Sequence, residues 1–457
     1  MRLRKTITTI VATAILLAGW QLFAVIANQP ELIPSLPRLV RTLCEWLVSG
    51  SFYQSVGATI LRGILGMSIS FVCAIGMAGL FARFEWVYEL FRPLLAIMRS
   101  IPVISFIFLA LIFLNPESIP LMIAFLTMFP LLTENLTRGI LDLRPGLSIM
   151  ARQFHIKRSN VLFQIIYPQL KPFLYSGLAS AAGFGWRAII MGEVLSQCAF
   201  GIGSEMKRAQ NFIAVPELLA WTIVAVFISF FFDKGISKVA DITPKISFAN
   251  EDQTIPTPTL SVLDTKDISY QYGIQHFSHS FQKGIIYGIN APSGKGKTTL
   301  LNLIGDILLP TEGEIHPTRH FGIATIFQQP QLLPHLTAEE NIILPLSSFL
   351  TEEKARRIAQ KHLQEMEMEP FGNRYPKELS YGQQQRIAIA RALAYPSPLL
   401  LMDEPFKGLD EALSHRIIER IREMQMKEER IILFTSHNPD EIRLLADEVI
   451  YLKIPTK

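Results

Sequence analysis

Six stretches of about 20 mostly apolar residues crowd the first half of the chain: roughly Ile7–Ala27, Thr59–Phe81, Leu94–Leu114, Ile119–Leu136, Phe173–Val194 and Val215–Phe232. That is the length a helix needs to cross a bilayer, where no water satisfies backbone polar groups and the helix must satisfy its own. The feature predicts an N-terminal all-α polytopic membrane domain with about six transmembrane helices. The prolines and polar residues inside several stretches suit helices that pack on one another. The first stretch has no small-x-small cleavage site before Asn28, so it reads as a retained first span. The segment between the first two spans is too polar to cross and reads as a surface helix. Arg2, Arg4 and Lys5 open the chain, and Arg144, Arg152, Lys157 and Arg158 lie between the fourth and fifth spans. The positive-inside rule puts both segments in the cytosol, and an even number of spans puts everything after Lys234 there too.

Charged residues make up 18% of the chain but are sparse before Asp241 and dense after Glu251. Residues 1–241 therefore form the membrane domain, 242–259 a Pro/Thr-rich linker, and 260–457 a soluble domain. In the last part, apolar runs such as "GIIYGIN", "FGIATIF", "PLLLMDEP" and "RIILFTSH" alternate with helical patterns. Such alternation predicts an α/β domain with a buried, largely parallel sheet. The net charge of +4 comes without a cluster of basic and aromatic residues, which excludes nucleic acid as a partner. Cys44, Cys73 and Cys198 lack metal or disulfide spacing and read as small buried hydrophobes.

Between the run "GIIYGIN" and an amphipathic helical pattern lies "APSGKGKT", Ala291 to Thr298. Successive backbone N–H groups here, at the positive end of the next helix, form a nest for phosphate oxygens. Lys297 would reach the β- and γ-phosphates of ATP and Thr298 would hold Mg²⁺. Ala291 stands where the pattern opens with glycine, and its Cβ costs about 1 kcal/mol if that position needs positive φ. Some hundred residues on, "PLLLMDEP" brings Asp403 and Glu404 to a strand end. Asp403 suits Mg²⁺ and Glu404 suits a base for an attacking water.

At this point the chain resembles the ATP-binding-cassette (ABC) ATPases. "ELSYGQQQRIAIARAL" (Glu378–Leu393) is similar to that family's signature, "IFQQPQLLPHLTAEENI" to its Q-loop with Gln328, "FKGLDEAL" to its D-loop with Asp410, and "LFTSHNPDE" to its switch with His437. The resemblance covers essentially all of residues 260–457 and implies a P-loop ABC ATPase domain. It further implies a head-to-tail dimer enclosing two ATP molecules. The ATP-binding residues of one cassette are then Tyr272, on adenine, with Ser293, Gly294, Lys295, Gly296, Lys297, Thr298, Thr299 and Gln328. Ser380, Gly382 and Gln383 of the other cassette would act in trans. Thr298, Gln328 and Asp403 are the implied Mg²⁺ set, and Glu404 and His437 the catalytic pair. Tyr381 departs from the pattern by replacing the first glycine of the signature pair.

The membrane half is similar to permeases of the nitrate, sulfonate and taurine importer family, whose relatives carry thiamine precursors or riboflavin. "SVGATILRGILGMSIS" and "FRPLLAIMRSIPVISFIFLALIFL" carry the likeness over most of residues 15–240. The loop "LSIMARQFHIKRSNVLFQIIYPQLKPFL" resembles the "EAA" loop by which such permeases dock on their ATPase. Ala151 matches it, while Ile149 and His155 replace the usual glutamate and glycine. Ala151, Arg152, His155, Lys157 and Arg158 are the coupling residues this implies. The family further implies an extracytoplasmic solute-binding protein, a small-molecule solute that is polar or anionic, membrane lipid as surroundings, and a homodimer or a heterodimer with a similar half-transporter. An exporter half-transporter shares the order of spans followed by ATPase, but the cytosolic loops here are too short for its long intracellular helices. A mechanical ABC ATPase would carry large extracytoplasmic domains, which the sequence lacks. Within the spans, Arg62, Arg187 and Glu193, with Arg99 and Glu134 near span ends, either pair internally or line a solute path.

Overall fold

The computed structural model describes residues 2–240, 244–253, 260–271, 273–292, 294–317 and 321–452. They form two compact units, Met1–Leu143 with Gln169–Ile242, and Arg144–Pro168 with Thr243–Lys457.

The first unit is helical: α1 (Arg2–Ala27), α2 (Leu36–Trp46), α3 (Gly50–Arg83), α4 (Glu85–Ser100), α5 (Val103–Phe113) and α6 (Ile119–Leu141). Helices α7 (Pro145–Gln153) and α8 (Arg158–Asn160) belong to the second unit, and α9 (Tyr167–Ser196), α10 (Ile202–Asn211) and α11 (Val215–Ala240) complete the chain's helical half. Helix α2 is the surface helix expected between the first spans, and α3 begins at Gly50, before the expected Thr59.

Among the described residues four helical stretches are long and apolar enough to cross a membrane: Gly50–Arg83, Pro116–Leu141, Arg158–Ser196 and Val215–Val239. The expected span Leu94–Leu114 is instead a pair, α4 and α5, bent by 95°. The cause is local. Ile101 precedes Pro102, whose ring excludes the helical conformation from its neighbour, and Ile101 is extended (φ −70°, ψ 129°). The described apolar part of α1, Val11–Ala27, is shorter than a span. The count is thus four, or five if the bent pair is one span, below the expected six, and parity no longer supports the orientation argument.

Helix α3 packs on α6 along a stripe of small buried residues that includes Gly66, Ser70, Ala74 and Ala78, while Gly63 lies against Trp186 of α9. At Gly66 a Cβ would lie 2.6 Å from that of Ala124, so the close approach requires glycine. The ionisable residues of the spans are mostly paired. Glu193, fully buried, accepts from Arg62 (2.7 Å), Thr59 Oγ1 (3.0 Å) and the Gly203 amide (3.0 Å), and Arg62 also reaches Glu117 at 2.6 Å. Arg99 and Arg138 both pair with Glu134. Arg187 is exposed, so it does not share a face with Glu193. Arg62→Leu would strand a buried carboxylate. It should destabilise the protein by about 3 kcal/mol, and more than Glu193→Gln does, read as the unfolding midpoint of the solubilised chain. Of the cysteines only Cys198 is buried; Cys44 and Cys73 sit on outward helix faces, contrary to expectation.

The second unit is α/β. A five-stranded sheet runs in the order β5 (Ala324–Ile326), β6 (Leu399–Asp403), β7 (Ile431–Thr435), β3 (Ile286–Asn290), β8 (Glu448–Tyr451), with every neighbouring pair parallel. Strands β6 and β7 are buried throughout, which is why they read as unbroken apolar runs. A separate antiparallel sheet joins β2 (Ile274–Gln282), β1 (Val262–Tyr270) and β4 (Glu312–His316). Helices α12 (Lys297–Ile304), α13 (Ala338–Leu346), α14 (Glu352–Glu365), α15 (Tyr381–Ala394), α16 (Glu411–Glu428) and α17 (Pro439–Leu445) accompany the strands. The core around β5–β7, α13 and α15 includes Leu147, Met150, Phe154 and Ile165 from the segment expected to couple the halves. Residues 244–253, the described part of the linker, are held to this unit. Ala249 and Gln253 donate to the carbonyls of Ser347 (3.0 Å) and Phe349 (2.8 Å).

Candidate functional site

Strand β3 ends at Asn290 and α12 begins at Lys297, so the phosphate-loop pattern forms the turn between them. Gly294 (φ 74°) and Gly296 (φ 88°) take left-handed conformations, whereas Ala291 does not. The glycine requirement therefore falls at 294 and 296, and the alanine carries no backbone penalty. At Gly296 a side chain would also meet the Gly273 carbonyl at 2.7 Å. Lys297 is buried, with Nζ donating to the Ala291 carbonyl (2.8 Å) and 3.2 Å from His437 Nδ1. Thr299 is the third residue of α12 and is half-buried, while Lys295 is exposed. Tyr272 and Ser293 lie outside the described residues.

Both carboxylates emerge at the end of β6, beside this turn. Asp403 accepts from Thr298 Oγ1 through Oδ2 (2.9 Å) and from Thr435 Oγ1 through Oδ1 (2.7 Å). Glu404 adopts φ 49°, a left-handed conformation rare for its type, and its amide donates to Thr435 Oγ1 (3.1 Å). Its carboxylate lies 3.0 Å from His437 Nε2 and 3.2 Å from Lys407 Nζ. Burial pushes the Glu404 carboxyl up, but hydrogen bonds from Lys407 and Gln328 and the charges of Lys407 and His437 outweigh it and hold the group below the ordinary carboxylate value. One turn, one strand end and the switch loop after β7 thus bring Lys297, Thr298, Asp403, Glu404 and His437 together. Lys407 and Thr435 complete the arrangement. The sequence singles out neither, although Lys407 lies in the quoted D-loop stretch, in a turn where its amide donates to the Glu404 carbonyl (3.2 Å).

The signature stretch opens α15. Ser380 is the N-cap: its Oγ accepts from the Gln383 amide (3.3 Å) while Gln383 Oε1 accepts from the Ser380 amide (2.9 Å). Gly382 follows in the first turn, and Asp410 caps α16 by accepting from the Leu413 amide (2.9 Å). Within one chain these residues do not join the loop cluster, apart from Tyr381, which touches the Q-loop.

The coupling segment is built into the same unit. Ala151 is buried, Arg152 donates to the Asp306 carbonyl (3.1 Å), and the Lys157 amide donates to Ser348 Oγ (2.9 Å). Arg158 is exposed, and exposed His155 sits at φ 47°, the conformation that explains a glycine in the related loop. The strongest contacts come from residues the sequence reading did not single out. Gln153 donates to the Gly305 carbonyl (2.5 Å) and its own carbonyl accepts from the Ile323 amide (2.7 Å). Asn160 spans Ser247 and Ser347, both at 2.8 Å. Phe154, fully buried, meets Tyr395 edge-on (5.2 Å) and lies under the guanidinium of Arg391 (5.4 Å). Arg391 in turn donates to the carbonyls of Gln331 (2.8 Å) and Pro330 (2.9 Å) in the Q-loop. Burial pulls this guanidinium down to about 9, still cationic at neutral pH. A cavity of about 260 Å³ is lined by Gly146 and Ile149 of the segment 144–168 together with Thr298, Gln328 and Asp403.

A family model described as ABC transporter matches residues 274–407, and one described as binding-protein-dependent transport system inner membrane component matches residues 56–233. The chain is 35% identical over 202 residues to an uncharacterized ABC transporter ATP-binding protein of Methanocaldococcus jannaschii, covering 40% of this chain and 86% of that protein. It is also 35% identical over 190 residues to the Fe(3+) ions import ATP-binding protein FbpC of Rhizobium etli, covering 39% of this chain and 54% of that one. The chain thus spans about half the length of the rhizobial relative. The dimeric structure of a post-hydrolysis state of the ATP-binding cassette MJ0796, bound to ADP and Pi, matches 42% of this chain and 94% of that one at 32% identity, with a TM-score of 0.40. With one segment matching the ABC transporter model and another matching the binding-protein-dependent inner membrane component in one polypeptide, the chain belongs to the ABC transporter family.

Proposed function

We propose that the chain is one half of an ATP-driven importer, and that two copies, or one copy and a similar partner, bring a small polar or anionic solute across the inner membrane. An extracytoplasmic binding protein delivers the solute. The spans cross the membrane several times, with the N-terminus and the cassette in the cytosol, where ATP is. The observation that carries this reading is the coupling segment. Residues of the importer-type permease sequence, Phe154 foremost, are core residues of the ATPase unit and reach the Q-loop through Arg391. Movement of the Q-loop is therefore transmitted by packed contacts to a segment of the permease sequence.

In the site, Lys297 binds the β- and γ-phosphates in place of its contacts to Ala291 and His437, and the loop amides from Gly294 onward cradle the phosphates. Tyr272 stacks on the adenine. Thr298 and Asp403, whose oxygens lie 2.9 Å apart, and Gln328 form an all-oxygen donor set suited to Mg²⁺. When bound, that ion neutralises charge on the phosphates. Glu404 accepts the proton of the attacking water, and His437 holds the γ-phosphate. Ser380, Gly382 and Gln383 of the second cassette complete the site, with Asp410 at the dimer seam. The closed pair opens the spans outward, and hydrolysis resets them, because nucleotide bridges both cassettes only when they are closed.

Solute accumulation in cells expressing the chain with its neighbouring subunits tests the direction. The panel is alkylsulfonates, taurine, nitrate, the pyrimidine precursor of thiamine, and riboflavin. One of them should accumulate with the wild type and not with Glu404→Gln. A solute retained more strongly by the Gln variant would make the chain an exporter.

A further inference from the structure

Tyr381 occupies a position where the signature pattern has glycine, and it is bonded rather than idle. It is the first residue of α15, and its hydroxyl donates to the backbone carbonyl of Gln328 at 2.8 Å. Its ring lies against Gly408 in the loop after Glu404, where an added Cβ would come within 2.8 Å of the tyrosine Cδ1. The next residue, Gly382, is pressed so close to the Gly408 carbonyl that a Cβ there would sit 2.6 Å from it. The backbone of Gln328 is therefore tied to the start of α15 through Tyr381. A glycine at 381 could make neither the hydrogen bond nor the ring contact. The capping box of Ser380 and Gln383 makes the first turn of α15 one unit, so a displacement of Tyr381 carries Ser380 and Gly382 with it.

We propose that Tyr381 is a positioning residue that links the Q-loop of each cassette to the signature of that same cassette. Resting on the reading of the site given above, the link has a definite sense. The Q-loop serves the nucleotide bound by its own cassette, whereas the signature serves the nucleotide bound by the partner. Occupation of one site moves Gln328, the tyrosine transmits the movement to Ser380 and Gly382, and the second site is completed. The two sites are thereby coupled, and coupling of this kind is reciprocal.

The test is ATP hydrolysis as a function of ATP concentration for the full-length chain in lipid nanodiscs. Tyr381→Phe removes the hydroxyl and keeps the ring on Gly408. One neutral hydrogen bond corresponds to about fivefold coupling between the sites. Its loss should bring the Hill coefficient for ATP down towards 1 and raise the half-saturating concentration about twofold, the square root of that factor. Tyr381→Gly should flatten the curve at least as far. The proposal is overturned if Tyr381→Phe keeps the wild-type steepness and midpoint, or if the wild type itself shows no cooperativity. It is also overturned if the variant lowers only the unfolding temperature and the maximal rate, as a purely structural contact would. Glu404→Gln, assayed alongside, separates the two levels. If it is inactive and Tyr381→Phe behaves as wild type, only the tyrosine link fails. If Glu404→Gln hydrolyses ATP normally, the reading of the site fails first.

Discussion

Glu404→Gln should reduce ATP turnover about a thousandfold while nucleotide binding stays within a few-fold of the wild type. The carboxylate stands at the end of β6 between His437 and Lys407, and its backbone is held in a left-handed conformation by the Thr435 bond to its amide. The amide of glutamine matches its shape and keeps the surrounding hydrogen bonds largely in place, but it cannot take a proton. Phosphate release measures turnover, and titration calorimetry with ATP measures binding. The environment also sets the pH dependence. Because Glu404 is held below the ordinary carboxylate value, it stays charged from neutral pH down to that range, and its share of the activity is lost only as the pH falls through the lowered value. Turnover should thus show no loss due to Glu404 between pH 7.5 and about 5. Removing the ammonium that does most to lower it, as in Lys407→Met, should move the acid limb of the profile to higher pH.

Phe154→Ala should separate the permease from the ATPase. The ring is fully enclosed between Tyr395 and Arg391, and its removal leaves a cavity in the core of the cassette unit. Truncations of this kind cost about 3 kcal/mol. The loss should appear in two ways. The unfolding midpoint of the cassette falls, and solute movement per ATP hydrolysed falls further than hydrolysis does. Phe154→Leu, which refills most of the space, should recover both. Proteoliposomes carrying the chain with the solute-binding protein proposed above allow the two rates to be measured in one sample. An alanine variant with wild-type transport per ATP would show that Phe154 is core and nothing more.

The candidate nucleotide site was legible because its information is local. Loop, helix start and strand end are each spelled in a few consecutive residues, and the parallel sheet fixes how they meet: β3 and β6 both flank β7 and deliver Lys297 and Asp403 to the same sheet edge. The coupling contacts were not legible in that way. Phe154, Gln153 and Asn160 sit in a short amphipathic stretch, and the partners that explain them, Arg391, Tyr395, Gly305 and Ser347, lie 150 to 240 residues further along. The basic residues stood out in the sequence, yet they mark the exposed side of the segment. The antiparallel sheet of β1, β2 and β4 was missed because β2 and β4 are largely exposed, β4 without one buried residue, with bulges in β1, and no unbroken apolar run announces it. The bend between α4 and α5 was written in Ile101–Pro102, but a count of apolar residues does not register a proline at a helix break.

Asn160 binds the carbonyl of Ser247 in the linker and the hydroxyl of Ser347 in the cassette, so one amide side chain fastens three parts of the polypeptide. Permease-derived segment and ATPase here meet within one molecule, and their effective concentration for each other is in the millimolar range rather than at the level of expression. A permease and an ATP-binding cassette joined in this way keep their one-to-one pairing when diluted, where separately made subunits would drift apart. The same fastening buffers mutations: a weakened dock re-forms before it can diffuse away, so substitutions in the coupling segment should disturb this chain less than equivalent changes disturb a transporter assembled from separate permease and ATPase subunits.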